Sequence, residues 1–237
     1  MQTASELIEK LQDVTDEQQI KEFLFHLIDT LQVDYFLLGI SFPLSIIKSD
    51  ILIIDNYPEG WRKIYEDLRL IRKTPIVRYC AENHSPIFWS QVDDEEIQEI
   101  KKTLFSGYQA GFTLPLHGPM GTFGIFNLSL AAGNSNCESS LLKALPTAQL
   151  VIPHLQDAIM RIRKEQDVKK VKFTTREIEC LTWATEGKSA WEIAKILDCS
   201  ERTITFHLNN ATTKLNCTNR YQAISKAILT GVISPRL

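Results

Sequence analysis

The chain has 237 residues, 44% of them apolar and 23% charged, with a formal net charge of −3. That is room for one large domain or two smaller ones, in a composition ordinary for a globular protein. No apolar run approaches the roughly 20 residues that span a bilayer, and MQTASELIEKLQDVTDEQQ has neither a basic n-region nor an apolar h-region, so a cytoplasmic protein with no membrane partner is expected.

Two amphipathic helices are expected first, at about Ser5–Gln12 and Asp16–Leu31. The second buries Ile20, Phe23, Leu24, Leu27 and Ile28 at helical spacing. DYFLLGISF (34–42) and SDILIIDN (49–56) are apolar, β-prone and bounded by turn residues, which predicts two strands. A short helix follows in NYPEGWRKIYEDL, with Trp61 and Tyr65 on one face. Pro75 opens another in IVRYCAEN, and HSPIFWS (84–90) is extended. The segment Asp93–Tyr108 starts with carboxylates and ends with lysines, as a helix dipole favours. AGFTLPLHG and TFGIFNLSLAA predict an antiparallel pair turning near Gly118–Gly121. From Ser139 to about Arg163 a long helix carries Leu141, Leu145, Leu150, Ile152, Leu155 and Ile159, with Pro146 and Pro153 inside it. The first 162 residues therefore predict helices on a sheet of about five strands. Aromatics gather between Tyr57 and Phe126, where they fill a solid core or line a small-molecule cavity.

RIRKEQDVKKVK is mostly charged, so 163–172 is expected to link two domains. Beyond it, 173–237 predicts a compact all-α unit of four helices. Thr174 or Thr175 starts FTTREIECLTWATEGK, in which Ile178, Leu181 and Trp183 are apolar and Gly187 ends the helix. SAWEIAKILD (189–198) offers Trp191, Ile193, Ala194 and Leu197 for burial, with only Cys199 and Ser200 before the next helix. Ser200 is a fitting N-cap, and Ile204, Leu208, Ala211 and Leu215 mark one buried stripe after it. The opposite face carries Arg202, Thr205, Phe206, Asn209, Thr212 and Thr213, with no carboxylate after Glu201. Two helices joined by so tight a turn form a helix-turn-helix, whose second helix enters the major groove of double-stranded DNA. A last helix opens at Thr218 or Asn219 and stops at Gly231.

The net charge conceals an asymmetry. Residues 161–237 hold 14 Lys and Arg against 8 Asp and Glu, whereas residues 1–160 hold 12 against 21. A basic C-terminal part on an acidic N-terminal part suits a DNA-binding module with a separate partner. Thr205, Phe206 and Asn209 are expected at base edges. Ser200, Arg202, Thr203, Lys214 and Arg220 are expected at the phosphates, with Lys195 beside them. One short helix reads few bases, so a homodimer on a two-fold promoter site is expected. Cys80, Cys137, Cys180, Cys199 and Cys217 lack CxxC spacing, so buried reduced thiols are expected, without a metal site or disulfide framework. The five histidines are equally scattered, and no cofactor, nucleophile–base pair or phosphate loop is legible.

The motif TxREIECLxWxxEGKSxxEIAxILxCSERTIxFHLxNxxxKLN resembles the DNA-binding domain of the LuxR family, which that family shares with NarL-type response regulators. SDILIIDNYPEGWRKIY, HSPIFW and AGFTLPLHG extend the resemblance over nearly the whole chain. It implies an N-terminal α-β-α sandwich that binds an N-acyl-homoserine lactone, a homodimer, a palindromic promoter element and contact with RNA polymerase. Carried over by motif, Trp61 would donate to the lactone carbonyl and Tyr57 would reach the acyl-amide carbonyl, with Ser129 beside it. Tyr65 and Trp89 would wall the cavity, and Gly111 would leave space at the headgroup.

One position departs from the family. Thr74-Pro75 stands where Asp-Pro is usual, and that Asp accepts the ligand's amide N–H. A carboxylate acceptor contributes about 1.5–3 kcal/mol against about 1 for a hydroxyl. The alternative to a lactone receptor is thus a LuxR-type regulator that answers another small molecule or acts without ligand. An enzyme lacks any supporting constellation, and a phospho-receiver would need an alternating βα chain that the N-terminal half does not have.

Overall fold

A computed structural model describes residues 3–57, 74–92, 108–131, 137–166 and 172–234. The chain divides into two compact units, one mainly from residues before Asp167 and one mainly from Val168 onward.

In the first unit α1 (Ala4–Gln12) and α2 (Glu17–Leu31) precede β1 (Tyr35–Pro43) and β2 (Ser49–Asp55). Thr3 caps α1 in a reciprocal box with Glu6, and the Asp16 side chain caps α2. Then come α3 (Pro75–Glu82), the short β3 (Ile87–Phe88), β4 (Tyr108–His117), β5 (Phe123–Ala131) and the long α4 (Cys137–Gln166). HSPIFWS is extended only briefly, because Trp89–Gln91 turns into one 3-10 coil. The expected helices around Trp61 and across Asp93–Tyr108 lie outside the described residues, apart from Tyr108, which begins β4.

The sheet runs β2-β1-β5-β4-β3, with β5 antiparallel to both β1 and β4. Opposed residues in such a ladder share a face. Phe36, Leu38, Phe112, Leu114, Phe126 and Leu128 therefore make one apolar face. On this side lie α1, α2 and α4, and Phe25 of α2 meets Phe36 edge-to-face at 5.6 Å. Arg161 of α4 ties the layer together by donating to the carbonyls of Leu11 (3.0 Å) and Val14 (2.6 Å). Pro146 and Pro153 sit on exposed positions of α4, and the carbonyls they leave undonated belong to the exposed Leu142 and Gln149. Leu150, expected to pack, is exposed instead. The other sheet face receives α3, described below.

The second unit is α5 (Thr175–Thr185), α6 (Ala190–Ile196), α7 (Glu201–Lys214) and α8 (Arg220–Leu229). Thr174 and Ser189 each close a capping box with a Glu three residues on, and Ser200 and Asn219 cap the other two. Gly187 and Gly231 leave α5 and α8 with positive φ. The core comprises Cys180, Leu181, Ile193, Ala194, Ile204, Leu208, Ala211, Leu215, Ala223 and Ala227. Two expectations change. α6 ends at Ile196, so four residues, not two, separate it from α7, and Trp191 is exposed rather than packed.

Lys214 has partners inside the domain. Its ammonium lies 2.7 Å from the buried Glu177 carboxylate, donates to the Lys172 carbonyl at 2.9 Å and sits over the Phe173 ring. It holds the end of α7 to the start of α5, so part of its charge is engaged within the domain. Burial pushes the Glu177 carboxyl up, but the Lys214 bond and the Thr174 backbone and hydroxyl bonds outweigh it and hold it below its ordinary value.

Lys214→Ala should therefore act on stability first, since Glu177 would stay buried with only its capping partner. The expected cost is about 2–3 kcal/mol, the range for a hydrogen bond to a charged group. Native-state amide exchange of α5 and α7 in the full chain checks this, and unchanged protection would contradict it. The pH dependence has a definite sign. The folded Glu177 carboxyl ionises at lower pH than the unfolded one. Its contribution is complete above about pH 4.3 and fades as the pH falls below that value. Glu177→Gln should remove that part of the acid sensitivity, read as a flatter exchange-protection profile between about pH 5 and 3.

Candidate functional site

Two regions carry chemistry, one in each unit. The first is the sheet face under α3. In β5 the side chains of Asn127 and Ser129 alternate with Phe126, Leu128 and Leu130, so both polar groups are carried to the face opposite the helical layer. The register sets Ser129 between Tyr35 of β1 and Gly111 of β4, and Asn127 between Leu37 and Thr113. Around them Leu37, Tyr57, Ile76, Cys80, Ile87, Trp89 and Ile125 form one buried cluster, into which α3 contributes Ile76 and Cys80.

Hydrogen bonds run through this face in one direction. The Trp89 indole N–H donates to Thr113 Oγ1 at 3.0 Å, and the Thr113 hydroxyl donates to Asn127 Oδ1 at 2.8 Å. An indole can only donate, so the order of the chain is fixed. Ser129 is fully buried, and its Oγ has no hydrogen-bond partner among the described residues. A buried hydroxyl left this way costs about 1–3 kcal/mol, which an occupant of the face would recover. Burial pushes the Cys80 thiol up to about 12, so it packs as an apolar, unreactive group.

Several expected residues meet here. Tyr57 is buried, its ring tilted against Tyr35 at 5.9 Å and its backbone N–H held by Asp55 at 3.1 Å. Thr74 is the N-cap of α3, half-buried and extended, and its side chain makes no capping bond. At Gly111 a Cβ would lie 2.8 Å from the Leu128 carbonyl and from two Trp89 ring carbons. The absence of a side chain at Gly111 lets the Trp89 indole pack against β4. Trp61 and Tyr65 lie outside the described residues. Thr113 and Asn127 were missed by sequence reasoning. The signal was the period-two polarity of FNLSL, legible only once its apolar partners are assigned to the other face.

The second region is the outer face of α7. Ile204, Leu208 and Ala211 point into the core, which turns Arg202, Thr205, Phe206 and Asn209 to solvent. Phe206 is 59% exposed although its domain has a core to receive it. An outward aromatic on such a helix suits a thymine methyl, and an outward Asn suits the adenine edge. The Thr205 hydroxyl donates back to the Glu201 carbonyl at 3.0 Å and keeps its lone pairs as acceptors. Ser200 Oγ accepts from the Thr203 backbone N–H at 3.1 Å and shares a hydroxyl bond with Thr203 at 2.7 Å, so Ser200 works first as the cap. Lys195 and Arg202 are exposed, with the Lys195 ammonium 5.8 Å from the Trp191 ring centre. Arg220 is half-buried and donates to the Lys188 carbonyl, which pins the start of α8 to the turn after α5. Like Lys214, it has a partner within the fold. His207 is half-buried against Phe206, and Cys199 is exposed in the turn, unlike the buried Cys180.

Among the described residues no helix is long and apolar enough to cross a membrane. The family model for an autoinducer binding domain matches residues 16–159, and that for bacterial regulatory proteins of the luxR family matches 171–227. The transcriptional activator protein LuxR of Aliivibrio fischeri is 42% identical over 232 residues, covering 96% of this chain and 93% of that one. A crystal structure of Escherichia coli SdiA superposes with a TM-score of 0.79 at 27% identity, covering 98% of both chains. SdiA in complex with octanoyl-rac-glycerol superposes with a TM-score of 0.81 at 26% identity and covers both chains fully. With an autoinducer-binding domain followed by a helix-turn-helix DNA-binding domain, the chain belongs to the LuxR family of transcriptional regulators and is not an enzyme.

Proposed function

We propose that the protein is an activator that binds an N-acyl-homoserine lactone on the α3 face of its sheet and, as a homodimer, a palindromic promoter element through α7. The observation that carries the ligand half is the buried Ser129 hydroxyl inside an otherwise apolar, aromatic cluster. An acyl-amide carbonyl would accept from it while the acyl chain lies among the apolar side chains. Tyr57 and Trp61 would hold the carbonyls, Thr74 would accept the amide N–H, and Tyr65 and Trp89 would enclose the chain. The DNA half rests on the exposed Arg202, Phe206 and Asn209 of α7, with the exposed Lys195 on α6. Contact with RNA polymerase and a cytoplasmic setting complete the reading, with 163–172 as the joint between domains. Its first four residues continue α4 as helix.

A second reading has an observation of its own. Octanoyl-rac-glycerol, the compound bound in the SdiA complex, is an acyl ester without an amide N–H. Thr74 likewise offers no carboxylate to an amide donor. A ligand lacking that donor would suit this chain better than it suits a relative with Asp there. Mass spectrometry of small molecules that co-purify from a lactone-producing host decides between the two: a lactone supports the first, and an acyl ester or another compound the second.

If a lactone is the ligand, Thr74→Asp should restore the charged acceptor. The gain is about 1–2 kcal/mol, or about 5- to 30-fold in the concentration that activates a promoter reporter. An Asp at this N-cap also suits the start of α3. Loss of response in Thr74→Asp, with a responsive parent, would show a site built for a ligand without the amide. On DNA, Asn209→Ala should relax preference at one base position by about 1–3 kcal/mol. Arg202→Ala should weaken all sequences alike and reduce the salt slope by about 1 for each half-site. Binding across a half-site library at several salt concentrations checks both, and equal losses on every sequence from both variants would refute the division.

A further inference from the structure

His84 and His117 stand apart from both regions described above. His84 lies in the connection from α3 to β3, and His117 ends β4. Their ring centroids are 4.4 Å apart with planes tilted by 56°, and both residues are exposed. His117 Nε2 lies 3.0 Å from the Asn83 backbone oxygen. A carbonyl oxygen only accepts, so Nε2 carries the proton and the neutral ring keeps its lone pair on Nδ1. Asn83 is itself fixed as the C-cap of α3, with its backbone N–H and its side-chain Nδ2 both donating to the Tyr79 carbonyl at 2.9 Å. An imidazole whose one N–H is held by a firmly placed carbonyl, and whose other nitrogen has no hydrogen-bond partner among the described residues, has the supporting bond usual for metal-ligating histidine. Phe123 backs the His117 ring at 5.7 Å and limits its rotation.

The spacing fits one ion. Two imidazoles bound side by side to a metal, with about 2.0–2.1 Å per nitrogen, bring their ring centres to roughly 4.5–5 Å. The observed 4.4 Å lies just below that range, so a small outward splay of the exposed His84 suffices. Stacking accounts for the approach of the two rings, and the Asn83 carbonyl fixes the His117 tautomer that leaves Nδ1 its lone pair.

We propose that His84 and His117 form a two-imidazole site for a divalent transition metal of the copper, nickel and zinc group. Water completes the coordination, since no group of three or more His, Cys, Asp or Glu is assembled among the described residues. Imidazole suits all three ions, and copper binds such a site most tightly. The ion fastens the C-terminal end of α3 to the end of β4, two elements that also bound the Ser129 face. The inference does not depend on the identity of the small-molecule ligand.

The test uses the untagged full-length chain carrying Cys199→Ser, which removes the exposed thiol as a competing ligand. Titrated with Cu2+, it should take up one equivalent with an electron paramagnetic resonance spectrum showing coupling to two imidazole nitrogens. His84→Phe keeps the stacked ring, and His117→Gln keeps an N–H for the Asn83 carbonyl. Each should weaken binding by more than about tenfold while circular dichroism stays unchanged. A Cu2+ spectrum without two-nitrogen coupling would overturn the proposal with no variant needed. So would a double variant that binds as tightly as the parent, because the copper would then sit on other histidines.

Discussion

The alternation of β5 sets the rest of the N-terminal unit. This strand lies between β1 and β4, so each of its side chains meets partners on both sides. Phe126, Leu128 and Leu130 build the floor for α1, α2 and α4, and Asn127 and Ser129 are thereby forced onto the face under α3. A register slip of one residue would exchange the two sets, placing a hydroxyl and an amide in the helical core. The apolar layer thus fixes where the polar groups must be, and the site exists because the core on the opposite face is well specified.

The C-terminal unit solves a different problem. It must present polar and aromatic groups outward from a small core, and it relies on caps and on one buried ion pair to do so. All four of its helices begin with a side-chain cap, and two of these are reciprocal boxes. Glu177 serves as the acidic member of one box and as the partner of Lys214, so a single carboxylate sets the start of α5 and the end of α7. Holding α7 at both ends in this way keeps Arg202, Phe206 and Asn209 at fixed positions relative to the core. Binding groups on a rigid helix lose less freedom on reaching a groove than groups on a loop.

Much of this was legible in the sequence, because caps, strand alternation and helical stripes are local signals. The helix starts near Thr174, Ser189, Ser200 and Asn219 follow from their side chains, and the β4–β5 pair from its turn. What failed was long-range. The intradomain bonds of Lys214 and Arg220 were not legible, because a Lys or Arg on a basic domain has no visible partner in one dimension. Their partners, Glu177 and the Lys188 carbonyl, lie far away in the chain. Trp191 was misjudged for the converse reason: an apolar side chain signals burial until the helix's rotation is known. Gly111 was recognised as a place needing room, but what fills the room, the Trp89 indole, could only come from packing.

The contact between Gly111 and Trp89 makes two distant positions inherit each other's history. A side chain at 111 would have to displace both the indole at 89 and the Leu128 carbonyl of β5, and a smaller residue at 89 withdraws the donor on which Thr113 depends. Neither change is neutral by itself, so the glycine and the indole are tied to each other and to the strand backbone beside them. The aromatic and the glycine are in effect one inherited unit, and a lineage that altered the polar line at Thr113 and Asn127 would have to begin by dissolving it.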